Sequence, residues 1–202
     1  MTALVSIDGG PTFEADGPRV ALVGDVRDVV DALDASPRPG LRARVLGAPL
    51  PSPRVGVARR AAALFGDLSP VANVTWAARL SGLPRAEAEA RATGVCRAAG
   101  LVTRSRVSAL EPPRIRLVAV AAAAVAEPDV LVCEGLLDDV DRAWATYLLG
   151  ALVALVGDKA AVLTVSSIAD DGPRRDLVLS CDQVILLEGG RASRWLAPEE
   201  AA

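Results

Sequence analysis

The sequence predicts an α/β fold, and three stretches carry that expectation. The first runs from Leu110 to Asp141: an Ala-rich apolar run (Leu117–Ala126), a tight Glu127-Pro128 turn, then a short apolar strand (Val130–Cys133). The second is the strand Arg19–Gly24 (RVALVG), which runs into a helical pattern over Asp25–Leu33. The third is Ala160–Val165 (AAVLTV), whose unbroken apolar character marks a buried strand. In such sheets functional groups gather at the carboxyl ends of strands. Attention therefore falls on Gly24, on Glu134 and the acidic loop Asp138-Asp139-Val140-Asp141, and on Ser166-Ser167.

Taken in order, Thr2–Ile7 alternates as a strand does and Gly9-Gly10-Pro11 is a turn. Phe13 reads as core or turn packing. Asp25 or Asp28 suits an N-cap of the helix ending at Leu33. Pro37–Pro53 reads as connections around a short strand near Arg42–Leu46, and Arg54–Arg60 (RVGVARR) as a further strand. Two helices follow. One spans Val71–Leu80 with Trp76; the other spans Arg85–Ala99, entered through Pro84, supported by Glu87 with Arg91 and stopped by Gly100. Arg85, Arg91 and Arg97 form a solvated face or a docking surface. Arg142–Val156 is a helix ended by Gly157, with Asp141 placed to cap it. Cys181–Arg191 is a hairpin turning at Gly189-Gly190, and Trp195–Ala202 is a short acidic tail.

Composition removes several function classes. With 202 residues and 51% hydrophobic content the chain can bury a core. A net charge of -3 gives no general footprint for nucleic acid. The apolar stretch Ala143–Gly157 is shorter than a spanning helix needs, and the first residues lack a signal-peptide pattern. Cys96, Cys133 and Cys181 are odd in number and set in apolar surroundings, which reads as structural thiols in a reducing cytoplasm. The chain has no histidine, so a Ser-His triad at Ser166-Ser167 has no base. Lys159 is its one lysine; it follows Asp158 and precedes Ala160, so it is not the Gly-Lys-Ser/Thr lysine of a phosphate-binding loop.

In chain order stand ALVG at Ala21–Gly24, ALFGDLSPVANV at Ala63–Val74, EPDVLV at Glu127–Val132, VLTVSS at Val162–Ser167 and CDQVILLEGGR at Cys181–Arg191. Together they resemble the framework wording of the ATP-binding cassettes of ABC transporters. The Leu110–Asp141 stretch matches the spacing of the signature-to-D-loop segment without a gap. The resemblance implies a P-loop NTPase-like (RecA-like) ABC ATPase core with a small N-terminal β part. A helical subdomain at about 69–112 would be inserted in it, within a single degenerate cassette over 1–202.

What the resemblance implies for the site is mostly loss. Gly24, Asp25 and Arg27 fall at the phosphate-loop position, where about four loop residues and the lysine are missing by alignment to that pattern. Asp25, Asp28 and Asp31 bring negative charge there instead. Arg60 stands at the Q-loop position, Glu134 at the Walker B position, Gly135 where the catalytic glutamate would be, and Ser167 where the switch histidine would be. The signature LSGGQ aligns with Leu110-Glu111-Pro112-Pro113-Arg114, whose prolines have no amide hydrogen to offer. Asp141 retains the D-loop identity and is equally an N-cap.

The expectation is a pseudo-ATPase with no cofactor and no metal, a cytoplasmic scaffold or regulator peripheral to a membrane. Its partner would be a membrane permease or an active ABC ATPase subunit, met through Arg60–Val74 and the edge near Asp139–Asp141, in a homo- or heterodimer. The alternative is a divergent ATP-binding subunit with weak residual binding of ATP and magnesium at Glu134. A third reading is a small-molecule sensor using the vacated pocket.

Overall fold

The computed structural model describes residues 2–7, 12–15, 19–24, 26–33, 43–45, 48–49, 54–102, 104–157, 160–165, 181–188 and 191–196. Its strands are β1 (Thr2–Ile7), β2 (Thr12–Ala15), β3 (Arg19–Gly24), β4 (Ala43–Val45), β5 (Ala48–Pro49), β6 (Val55–Ala58), β7 (Val130–Glu134), β8 (Ala160–Val165), β9 (Gln183–Glu188) and β10 (Arg191–Leu196). Its helices are α1 (Arg27–Leu33), α2 (Pro70–Leu80), α3 (Arg85–Ala98), α4 (Pro112–Ala124) and α5 (Arg142–Val156).

Two sheets result. The larger has the order β10-β9-β3-β8-β7-β6, parallel throughout except for β10, which returns antiparallel against β9. The smaller, β2-β1-β4-β5, is antiparallel. β3 lies between two strands that follow it in the chain, with Ala21 opposite both Leu163 and Val184. Val20, Ala21 and Leu22 of β3 and Val130–Cys133 of β7 are buried. That explains their continuous apolar runs: a parallel strand covered on both faces shows no alternation.

Two aspartates set the sheet's register at the strand entrances. Asp129 accepts from the Arg54 amide at 2.8 Å while its own amide donates to the Arg54 carbonyl, tying the start of β7 to β6. Asp182 repeats this with Arg19, again at 2.8 Å, tying β9 to β3. The Asp of the PD and CD pairs is thus a register pin.

The helices start and stop for identifiable reasons. Ser69 caps α2 by accepting from the Ala72 amide at 3.3 Å, and Asp141 caps α5 by accepting from Trp144 at 2.8 Å. α4 begins earlier than its apolar run, because Pro112 and Pro113 occupy its first turn, where a missing amide hydrogen costs nothing. Leu117, Val118, Val120 and Ala121 of α4 are buried. Gly56 lets β6 pass close under α4: a Cβ there would lie 2.5 Å from the Ala123 carbonyl oxygen. Gly100 ends α3 with φ +66, and Tyr147 of α5 donates to the Ala99 carbonyl at 3.1 Å beside it.

Three local expectations need correction. Asp28 lies inside α1, not at its cap, because the helix is already hydrogen-bonded from Val26 to Val30. Trp195 belongs to β10 instead of a tail, since the hairpin carries pairing as far as Leu196 with Val184. Pro84 sits one residue before the first turn of α3, as its N-cap. Phe13 lies in β2. The Gly9-Gly10-Pro11 turn, Ser166-Ser167 and Gly189-Gly190 fall outside the described residues.

Candidate functional site

The carboxyl ends of β3, β6 and β7 meet along one edge of the sheet. β3 ends at Gly24, and α1 begins at Arg27, so only Asp25 and Val26 separate strand from helix. Gly24 is required where it stands. Its φ is +119, and a Cβ would lie 2.4 Å from the Leu187 carbonyl oxygen. A connection this short cannot circle a phosphate with successive backbone amides. Arg27 is exposed at the first position of α1. Asp25 itself, like Ser167, lies outside the described residues.

Asp31, one of the three acids noted at the phosphate-loop position, is paired with an arginine. Arg59, one residue past β6, places Nη1 2.7 Å from its Oδ1. This pair holds α1 against the sheet edge.

At the ends of β6 and β7 the structure brings Arg60 and Glu134 together. The Arg60 amide donates to Glu134 Oε2 at 3.4 Å. Its guanidinium turns to the loop after β7, with Nη1 3.1 Å from Asp138 Oδ2 and Nη2 2.5 Å from Asp139 Oδ2. The Asp138 side chain is only 5% exposed. A second guanidinium closes the loop from behind: Arg116 of α4 donates to the Asp138 carbonyl, and lies 3.4 Å from those of Gly135 and Leu136. Burial, reinforced by the positive charge of Arg60, lowers the Arg116 pKa against the opposing pull of Asp138 and Asp139. Even so, arginine keeps its proton.

Gly135 completes the turn. Its amide donates to Thr164 Oγ1 at 3.0 Å, and Thr164 in turn donates to the Cys133 carbonyl at 3.4 Å, stapling β7 to β8. With φ +59 and a Cβ position 2.8 Å from Asp138 Oδ2, this site rejects a side chain. Asp141 is spent on its cap. At the start of α4, Glu111 is the N-cap without a side-chain bond, and Pro112 and Pro113 follow.

Two residues stand between β3 and α1, prolines occupy the first turn of α4, and the Arg60 guanidinium spans the acidic loop after β7. Among the described residues no group of three or more acidic, Cys or His side chains is arranged to hold a metal. Sequence reading missed Arg116 and Thr164 as site residues. Arg116 had a signal, a charge set against an otherwise apolar run; Thr164, one polar residue inside AAVLTV, had a fainter one.

A second surface lies beside this edge. Phe65 and Trp76 are 54% and 50% exposed, their rings 5.9 Å apart, and Leu80 one turn further along α2 is 80% exposed. Phe65 is held from beneath: the buried Asn73 amide accepts from its N–H at 2.8 Å and donates to its carbonyl at 3.0 Å. Of these three exposed residues, Phe65 falls within Arg60–Val74, and Trp76 and Leu80 lie beyond it on α2. Among the described residues no helix is long and apolar enough to cross a membrane.

No family model and no curated protein matches the chain. Solved structures do. The ATP-binding cassette MJ0796, in a dimeric post-hydrolysis state with ADP and phosphate, superposes with TM-score 0.73 at 14% identity, over 93% of this chain and 89% of that one. CbiO1 from Clostridium perfringens, part of the ABC transporter complex cbiONQ, gives 0.74 at 16% identity over 99% and 90%. A second dimeric structure of MJ0796, described as a bacterial ABC transporter cassette, gives 0.74 at 13% identity over 93% and 89%. The protein therefore has the P-loop NTPase-like α/β fold of ABC-transporter ATP-binding cassettes.

Proposed function

We propose that this chain is a non-catalytic cassette, a pseudo-ATPase serving as scaffold or regulatory subunit of an ABC-type membrane transport system. The observation that carries this reading is the direct passage from β3 to α1, with two residues where a phosphate-wrapping loop would be. The Arg60 bridge to Asp138 and Asp139 supports it, since it puts a fixed internal cation into the acidic loop. On this reading residues 1–202 form one cassette, with about 69–112 as its inserted helical subdomain. The protein works in the cytoplasm, peripheral to the membrane. Gly24, Asp25, Arg27, Arg60, Glu134, Asp141 and Ser167 mark vestigial site positions.

The partner is a membrane permease or an active ABC ATPase subunit. Supporting this, the shelf of Phe65, Trp76 and Leu80 is apolar, ordered and exposed, and such patches mark protein contacts. MJ0796 is dimeric in its structures, and CbiO1 belongs to a larger transporter complex. A weakly ATP-binding subunit is the competing reading, favoured by the Glu134 carboxylate at the end of β7.

Calorimetric titration of magnesium-ATP into the purified chain, with a thermal-shift control, separates the two. No heat and no shift at millimolar ATP is the expected result. Saturable binding tighter than about 100 μM, roughly 5.5 kcal/mol, would overturn the proposal.

A further inference from the structure

α5 departs from the pattern of a surface helix. Such a helix turns a charged or polar face to water. α3 does so with Arg85, Glu87, Glu89 and Arg97, all exposed. The exposed face of α5 carries instead Ala143, Thr146, Gly150, Val153, Ala154 and Gly157. They recur at the three- and four-residue spacing that lines one side of a helix. No ionisable side chain stands among them. Thr146 adds little polarity, because its hydroxyl donates to the Arg142 carbonyl at 3.0 Å within the helix. A helix that is apolar all round is one whose whole surface is covered.

The face is shaped to receive a copy of itself. Val153, its one bulky side chain, is 58% exposed. Gly150, nearly one turn earlier, is open, with no atom within 4 Å of where a Cβ would stand. A bulky residue and a gap so placed fit each other when two copies run antiparallel about a twofold axis. Val153 of each then seats over Gly150 of the other, as a self-complementary contact requires. The same register sets Thr146 against the partner's Gly157.

The helix ends match as well. Arg142 is the charged side chain in the first turn of α5, where Asp141 is turned back onto the Trp144 amide. The last turn has no basic residue. Arg142 therefore opposes the positive end of its own helix dipole, and an antiparallel pair brings it toward the carbonyl end of the partner. A parallel pair would bring like ends together. A lipid surface fits poorly, since small residues offer it little apolar area and no basic residue lies between Arg142 and Gly157.

We propose that α5 makes a reversible, twofold-symmetric contact with α5 of a second copy of this chain, centred between Gly150 and Val153. A strip one 15-residue helix long, about 22 Å by 10 Å, is smaller than a tight interface, so the dimer dissociates at about 10–100 μM. The contact uses neither Arg60 and Glu134 nor Phe65, Trp76 and Leu80. Its test and the ATP titration therefore fail separately.

Sedimentation velocity of the full chain from about 5 to 500 μM, a span that brackets a weak complex, is expected to move from monomer to dimer. Gly150→Leu changes an exposed position, so it folds, which circular dichroism checks. It fills the gap while adding apolar surface: seated pairing weakens at least about tenfold, whereas unspecific apolar association would strengthen. Val153→Asp should weaken pairing as much, by placing two carboxylates near the axis. Orientation is read by oxidative cross-linking, against a parent whose thiols are buried. In the antiparallel register the two 153 positions are within disulfide reach, while the two 146 positions are about 16 Å apart along the helices. Val153→Cys should therefore cross-link and Thr146→Cys should not. A monomer at every concentration, equal or tighter association of Gly150→Leu, or equal cross-linking of the two cysteine variants each overturns the proposal.

Discussion

Arg60 and Asp138 are 78 residues apart in sequence, yet the Arg60 Nη1 lies 3.1 Å from an Asp138 carboxylate that is almost fully buried. The acidic loop after β7 is thus closed by a charge from the neighbouring strand end. Arg60→Ala should lower the unfolding free energy by about 1–2 kcal/mol, less than for a wholly buried pair because Arg60 is itself half exposed. Urea unfolding would read this as a lower midpoint at unchanged slope. A variant as stable as the parent would mean that Arg116 alone secures the loop.

Gly135 offers a sharper test. Placing a glutamate there requires a side chain at φ +59 and a Cβ 2.8 Å from Asp138 Oδ2. Gly135→Glu should therefore lose about 1–3 kcal/mol of stability and gain no ATP hydrolysis. A stable variant that hydrolyses ATP would sink both this argument and the pseudo-ATPase reading.

Asp141 has a structural duty that accounts for its identity. Asp141→Ala should destabilise α5 by about 1 kcal/mol, while Asp141→Asn should lose far less, since either side chain accepts from the Trp144 amide. Equal losses in the two variants, read from thermal midpoints, would point to the charge instead of the cap.

The buried thiols set an alkaline limit. Burial pushes Cys133 up to about 12 and Cys96 up to about 11 from an ordinary 9.0. Above pH 9 the unfolded chain gives up these protons while the folded chain holds them. Stability is therefore full below pH 9 and falls as pH rises from there toward 11–12. Native Cys133 should resist alkylation at pH 8, becoming reactive only on unfolding. Rapid labelling of native protein would contradict its burial.

Much of the framework was legible because it obeys local rules. Arg19–Gly24, Ala160–Val165 and Arg142–Val156 have the bounds their apolar runs and glycine ends suggest. β6 is shorter than its Arg54–Arg60 pattern: Asp129 takes the Arg54 amide, and the Arg59 and Arg60 side chains pair with Asp31 and Asp138. Those contacts join residues distant in sequence, which no local pattern encodes. For the same reason the site's acids were visible but its arginine closures were not: Arg116 lies in α4 and reaches the Asp138 carbonyl only through the packing of α4 on the sheet.

The position of β3 has a consequence for how the protein is made. Both strands that flank it, β8 and β9, leave the ribosome after β7 and α5. A nascent chain that ends before Ala160 carries β3 with neither edge paired, while the local contacts of α2 and α3 can already form. Such unpaired apolar edges are the hazard that chaperones meet during synthesis. Emergence of β8 and β9, not of the first strand, is then the moment when the large sheet closes.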